Sequence, residues 1–285
     1  MYLRETASRA ASLLAKRPGL FGRVVLAKIN TVRRMPSLPV QRRINAVIFE
    51  YELSNYHGTA PMYFGSYALL VIEVMKRFLK PGDVFFDIGA NIGYLSAIAA
   101  GFVGRHGQVH CFEPVPAYFY RLQRLAELNS EYSIAPNARA AGETAGTRKI
   151  YVTREPGQNT MVPSYKSNEE VKFSLEVPVV RLDAYINQHK LDNVKMIKID
   201  AEGYEFPILK GLRHQFENPN FRPGIICEIA PRAYSLMNTS LSALSNYMAE
   251  FGYTARDVID ADTRVDLQSL AHVTDVLFLP EETSD

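Results

Sequence analysis

Val84–Gly93 reads VFFDIGANIG. Three apolar residues lead to Asp87, glycines follow at Gly89 and Gly93, and an apolar run resumes, which is the pattern of a buried strand turning abruptly into a helix. Such a turn suits a ligand. Its glycines let the backbone approach something bulky, the new helix presents N–H groups without intrahelical partners, and Asp87 ends the strand with a carboxylate in the same crevice. That carboxylate repels a pyrophosphate and suits an ammonium or a hydroxyl. The dinucleotide fingerprint requires glycine at its second position, where the pyrophosphate touches the backbone, and Asn91 stands there instead. The loop D-x-G-A-N-x-G, with Ala90 and Asn91 between its glycines, therefore argues against an NAD(P)-linked oxidoreductase, while a plain strand-to-helix turn is the bland alternative.

Outward from this loop the chain alternates strands and helices. Upstream, Ile44–Leu53 (INAVIFEYEL) reads as a strand, Asn55 to Pro61 as a turn, and Leu70, Val71, Val74, Met75 and Phe78 as a helix beginning near Ser66 and stopped by Pro81-Gly82. Downstream, Tyr94 to Val103 is a helix rich in small residues, and QVHCFEP is a second strand ending at Glu113. Glu113 lies 20 residues past Gly93, the spacing at which α/β nucleotide folds place an acid on ribose hydroxyls. A helix over Ala117 to Asn129 and a third strand ending near Ala140-Ala141 follow, with Glu143 at the same rim as either an adenine contact or a turn carboxylate.

Residues 147–180 break the alternation with two strand-like runs around a polar loop, Glu155 to Ser167. Gln158 and Asn159 are substrate-contact candidates there, or the tip of a solvated hairpin. Lys195 to Asp200 (KMIKID) is a fourth strand, and Asp200, Glu202 and Glu205 converge at its end and in the next helical turn, where an acid such as Glu205 also suits the helix dipole. Gly224–Ile229 is a fifth strand carrying Glu228 near its end; a helix over Leu241 to Phe251 and strands over Tyr253 to Ile259 and Asp275 to Leu279 close the chain.

The 285 residues are 47% hydrophobic and 22% charged, ordinary for a globular chain with a sizeable core. The net charge of +2 is unevenly spread: residues 1–43 hold ten of the 32 bases and one of the 30 acids, leaving 22 against 29, or −7, for the rest. A basic, helical extension over residues 1–43, with two amphipathic patterns split by Pro18-Gly19, is expected to precede one domain over residues 44–285. That domain includes a lead-in strand and helix (44–80) and an inserted hairpin region (147–180). The extension either rests on a membrane surface or an acidic partner, or packs on the domain. No apolar run reaches the roughly 20 residues of a membrane span, and no secretory signal is read, so a cytoplasmic protein, peripheral at a membrane at most, is expected. An acidic crevice argues against nucleic acid as substrate.

Taken together, LKPGDVFFDIGANIGYLS, HCFEPVP, VVRLDAYI, IKIDAEGYEFPILKG and RPGIICEIAP resemble the FkbM-like family of S-adenosylmethionine-dependent methyltransferases over about residues 66–230. The resemblance implies an α/β, Rossmann-like class I fold: a seven-stranded, mostly parallel sheet of order 3-2-1-4-5-7-6, strand 7 antiparallel, with helices on both faces. In that order two strands separate Cys111 from Cys227, too far for a disulfide. It also implies transfer of a methyl group to a hydroxyl of a sugar, glycolipid or natural product. Asp87, Gly89, Ala90, Asn91 and Gly93 would form the S-adenosylmethionine loop, with Glu113 on the ribose and the Asp200 to Glu205 motif beside the methyl group. Ala201 replaces a larger branched residue. Asp200 is the first candidate base, with Glu202 and Glu228 behind it; alternatively these acids hold a divalent metal. The competing function is a non-catalytic protein that binds cofactor or a partner.

Overall fold

Val84, Phe86 and Ile88 point into one hydrophobic layer and Phe85 into the other, so a strand with no polar face must lie between two covered faces. The computed structural model describes residues 39–52, 68–155 and 157–281. The expectations placed on residues 1–38, on the turn at 55–61 and on the helix start near residue 66 lie outside the described residues.

In chain order, the hairpin β1 (Pro39–Ile44) and β2 (Val47–Glu52) is followed by α1 (Leu69–Phe78), β3 (Val84–Ile88), α2 (Tyr94–Val103), β4 (Gln108–Phe112), α3 (Pro116–Leu128) and β5 (Ser133–Asn137). Next come β6 (Ala140–Ala141), β7 (Gly146–Thr153), β8 (Val171–Val180), α4 (Leu182–His189), β9 (Val194–Ile199), α5 (Glu205–Lys210), α6 (Arg213–Phe216) and β10 (Gly224–Ile229). The chain closes with α7 (Pro231–Leu236), α8 (Leu241–Glu250), β11 (Tyr253–Asp257) and β12 (Thr274–Pro280). The main sheet runs β5-β4-β3-β9-β10-β12-β11, with β12 antiparallel to both neighbours and the other pairs parallel. Counted within the sheet this is the expected order 3-2-1-4-5-7-6. Residues from the hairpin, α1, α2 and α3 cover one face, and residues from α4 to α8 cover the other. Cys111 and Cys227 are buried free thiols with β3 and β9 between their strands.

Three boundaries differ from the sequence reading. The strand expected over Ile44–Leu53 is a hairpin turning at Asn45-Ala46, so Pro39–Ile44 is a strand rather than the end of a helical extension. Asn129, wholly buried, ties it down: its Oδ1 accepts from Ile48 N at 2.7 Å, and its Nδ2 donates to the carbonyls of Ile48 and Leu125. The third strand of the main sheet stops at Asn137, and Ala140-Ala141 instead pairs with Val179-Val180 in a separate sheet of order β6-β8-β7. The short helices α4, α6 and α7 have no counterpart in the sequence reading. No helix among the described residues is long and apolar enough to cross a membrane.

Candidate active site

The carboxyl ends of β3, β4 and β9 open onto a cleft of about 830 Å³, counting its open mouth. Asp87, Gly89, Ala90, Asn91, Glu113, Asn159, Asp200 and Glu202 all line it. The small sheet and its loop close one side with Ile150, Gly157, Asn159 and Met161.

The glycines that shape the loop admit protein rather than ligand. A Cβ on Gly89 would sit 1.8 Å from the carbonyl oxygen of Asp200, where the end of β9 crosses, and the residue has φ +77°. A Cβ on Gly93 would meet Leu122 Cδ2 at 2.6 Å and Leu125 Cδ2 at 2.9 Å, so this glycine seats α3 and does not line the cleft. Between them Asn91 takes φ +51°, and its N–H donates to Glu113 Oε2 at 2.9 Å. Glu113 Oε1 accepts from Val115 N, so this carboxylate braces the loop as well as lining the cleft, and burial pushes its carboxyl up to about 7.

Asp87 is 1% exposed. Its Oδ2 accepts from Ser96 Oγ at 2.6 Å, while Oδ1 is buried without a hydrogen-bond donor. Burial raises this carboxyl against the pull of Lys198. Lys198, a buried ammonium in the cleft wall, donates to Asp200 Oδ2 at 2.7 Å. The sequence held a signal for it, since Lys198 is one of two lysines in an otherwise apolar strand and sits two residues before Asp200, hence on the same face.

Carboxylate oxygens of Asp200, Glu202 and Glu228 lie within 4.8 Å of one another, close enough to share a divalent cation. Two ammonium groups already serve this cluster, Lys198 on Asp200 and Lys166 on Glu202 at 3.2 Å. The negative charge of Asp200, then burial, raises the Glu228 carboxyl well above the usual range, and burial raises Glu202. With two of the three acids already paired to an ammonium, the cluster has about one net negative charge to offer a divalent cation, so the donor set fits one poorly. Glu228 belongs to this cluster and not to the cleft wall. Lys166 also donates to Gln158 Oε1, and Thr160 Oγ1 donates to the carbonyl of Glu202, strapping the loop of residues 157–167 onto the turn after β9.

Three further expected site residues, besides Gly93 and Glu228, lie outside the wall of this cleft. Glu143 is exposed, pairs with Lys210 at 3.2 Å, and does not line the cleft, because the strand that would have carried it to the rim ends at Asn137. Gln158 turns to Lys166 and likewise stays out of the wall. Glu205 is fully buried behind the turn, where Oε1 accepts from Gly203 N at 2.7 Å and Ala201 N at 3.2 Å.

The family model of the methyltransferase FkbM domain matches residues 87–255. Hexuronic acid methyltransferase AglP of Haloferax volcanii is 24% identical over 159 residues, covering 56% of this chain and 61% of its own. The 31-O-demethyl-FK506 methyltransferase FkbM of Streptomyces tacrolimicus is 28% identical over 163 residues, covering 47% of this chain and 61% of its own. The chain thus spans about three fifths of the length of these curated relatives. Among solved structures, methyltransferase FkbM from Methylobacillus flagellatus superposes with a TM-score of 0.45 at 16% identity, covering 92% of this chain and 60% of that one.

Proposed function

The chain belongs to the FkbM methyltransferase domain family, and from that premise we propose that it is an S-adenosylmethionine-dependent O-methyltransferase acting on a hydroxyl of a sugar, glycolipid or natural product. The observation that carries the cofactor is Asp87 Oδ1, a buried carboxylate oxygen in the cleft wall that accepts from no donor. A buried acceptor left so costs about 1–3 kcal/mol, more when charged, and an ammonium donor in the cleft removes that cost. S-adenosylmethionine brings such an ammonium and an activated sulfonium methyl group. Glu113, at the end of β4, faces the same cleft and suits ribose hydroxyls.

Asp200 fits the role of base: it lines the cleft, and its Oδ2 is held by Lys198. It would take the proton of the acceptor hydroxyl as that oxygen attacks the methyl carbon, a contribution of roughly 10²- to 10⁴-fold. Glu202 is committed to Lys166, and Glu228 lies outside the cleft wall. No step here requires a metal. The hydroxyl acceptor is supported by what the relatives' names say they methylate, a hexuronic acid and a demethylated natural product.

Calorimetry with S-adenosylmethionine and with NADH, on the wild-type chain, Asp87→Ala and Asp200→Asn, tests the reading. Wild-type and Asp200→Asn should bind the sulfonium compound and Asp87→Ala should not; with an acceptor found by screening glycans, turnover should drop at least about 100-fold in Asp200→Asn. Binding of NADH alone, or of neither compound, would refute it.

A further inference from the structure

Lys198 stands beside Asp87 at the base of the cleft. The two are register partners on the parallel strands β3 and β9, so their side chains rise from one face of the sheet on strands about 4.8 Å apart. Lys198 is 5% exposed, and Asp87 Oδ1 is buried without a donor. A buried ammonium next to a carboxylate oxygen that needs a donor is the complement of an α-amino acid, whose own ammonium and carboxylate share one carbon. We propose that Lys198 binds the α-carboxylate of the cofactor's amino-acid end while Asp87 Oδ1 takes its α-ammonium, so that the pair selects a zwitterionic tail over a simple amine. This rests on the cofactor reading above.

Charge fixes the sign of the effect. Asp87, Glu113, Asp200 and Glu202 all line the cleft, and Lys198 is the basic side chain among its described lining residues. Acids alone favour the ligand with more positive charge. S-adenosylmethionine without its carboxylate gains one net positive charge, so the acids would bind that amine more tightly than the intact compound. Lys198 is the side chain in that wall whose charge opposes this, and its ammonium has three N–H donors and can serve the ligand carboxylate together with Asp200.

The test is calorimetric titration of the full chain with S-adenosylmethionine and with decarboxylated S-adenosylmethionine. Wild-type protein should bind the intact compound roughly 10- to 100-fold more tightly, the range for a charge-assisted hydrogen bond lost at a buried site. Lys198→Met, similar in length and apolar, should lose or invert that preference. Asp87→Asn should weaken both ligands, since both keep the ammonium. Equal binding of the two compounds by wild-type protein would overturn the proposal without any variant having to fold, and so would an unchanged preference in Lys198→Met. Were neither compound bound by the wild-type chain, the cofactor reading itself would fall and take this one with it.

Discussion

Glu205 shows how far a residue's letter can be from its role. In the sequence it is one of three acids converging after a strand; in the fold it is fully buried, and its Oε1 gathers the N–H groups of Ala201 and Gly203. Its Oε2 has no donor, and burial pushes the carboxyl from 4.5 up to about 8. Charging it in the folded state is unfavourable, so its contribution to stability is complete below pH 4.5 and is lost as pH rises through about 8. Glu205→Gln keeps an acceptor at Oε1 and removes the titration. Urea unfolding at pH 5, 6, 7 and 8 should therefore show the wild-type chain losing stability relative to the variant by up to about 1.4 kcal/mol per pH unit. Glu113 titrates in the same window but is common to both proteins and cancels. Parallel pH profiles would sink the assignment. The sequence could list acids at strand ends; it could not say which of them the turn would swallow, because burial depends on how segments distant in sequence pack.

At the scale of elements, the strand-to-helix loop was legible because its pattern is local, while the reason for its glycines was not, because that reason is tertiary. Gly89 faces a backbone carbonyl fixed in the sheet, and Gly93 faces the ends of two leucine side chains. Both have positive φ, so a side chain costs on the order of 1 kcal/mol or more at either position from conformation alone. Leucine tips can rotate away; a carbonyl at the end of β9 cannot move without displacing Asp200. Gly93→Ala is thus expected to cost about 2 kcal/mol in denaturant unfolding, and Gly89→Ala at least about 3 kcal/mol together with ligand binding. Equal losses at the two positions would refute this account. The same contrast explains the other misreadings: β6 is two residues long and exists only because β8 lies beside it, and β1 was hidden in a stretch of Gln41, Arg42 and Arg43 that only β2 makes into a strand.

At the scale of the whole molecule, the order of the sheet could be anticipated since it follows from the family likeness and from right-handed crossovers between parallel strands. The uneven charge was equally plain in the composition, but most of its basic part lies outside the described residues. What the architecture adds is coupling between its two faces. Neighbouring residues of single strands feed opposite layers: Phe85 and Phe86 on β3, Met196 and Ile197 on β9, Ile226 and Cys227 on β10. Neither layer can come apart while those strands stay ordered, since freeing one face strips apolar cover at roughly 25 cal/mol per Å² from the strands that hold the other. The chain contains no tryptophan, so single reporters can be placed cleanly. Phe102 is half-buried against the first layer and Phe251 against the second, and each tolerates a larger ring better than a sealed position would. Phe102→Trp and Phe251→Trp should report superimposable urea transitions once each curve is referred to its variant's own stability by circular dichroism. A fluorescence midpoint at either position that departs from the circular dichroism midpoint of the same variant would mean that one layer melts first, and the coupling through β3, β9 and β10 would have to be abandoned.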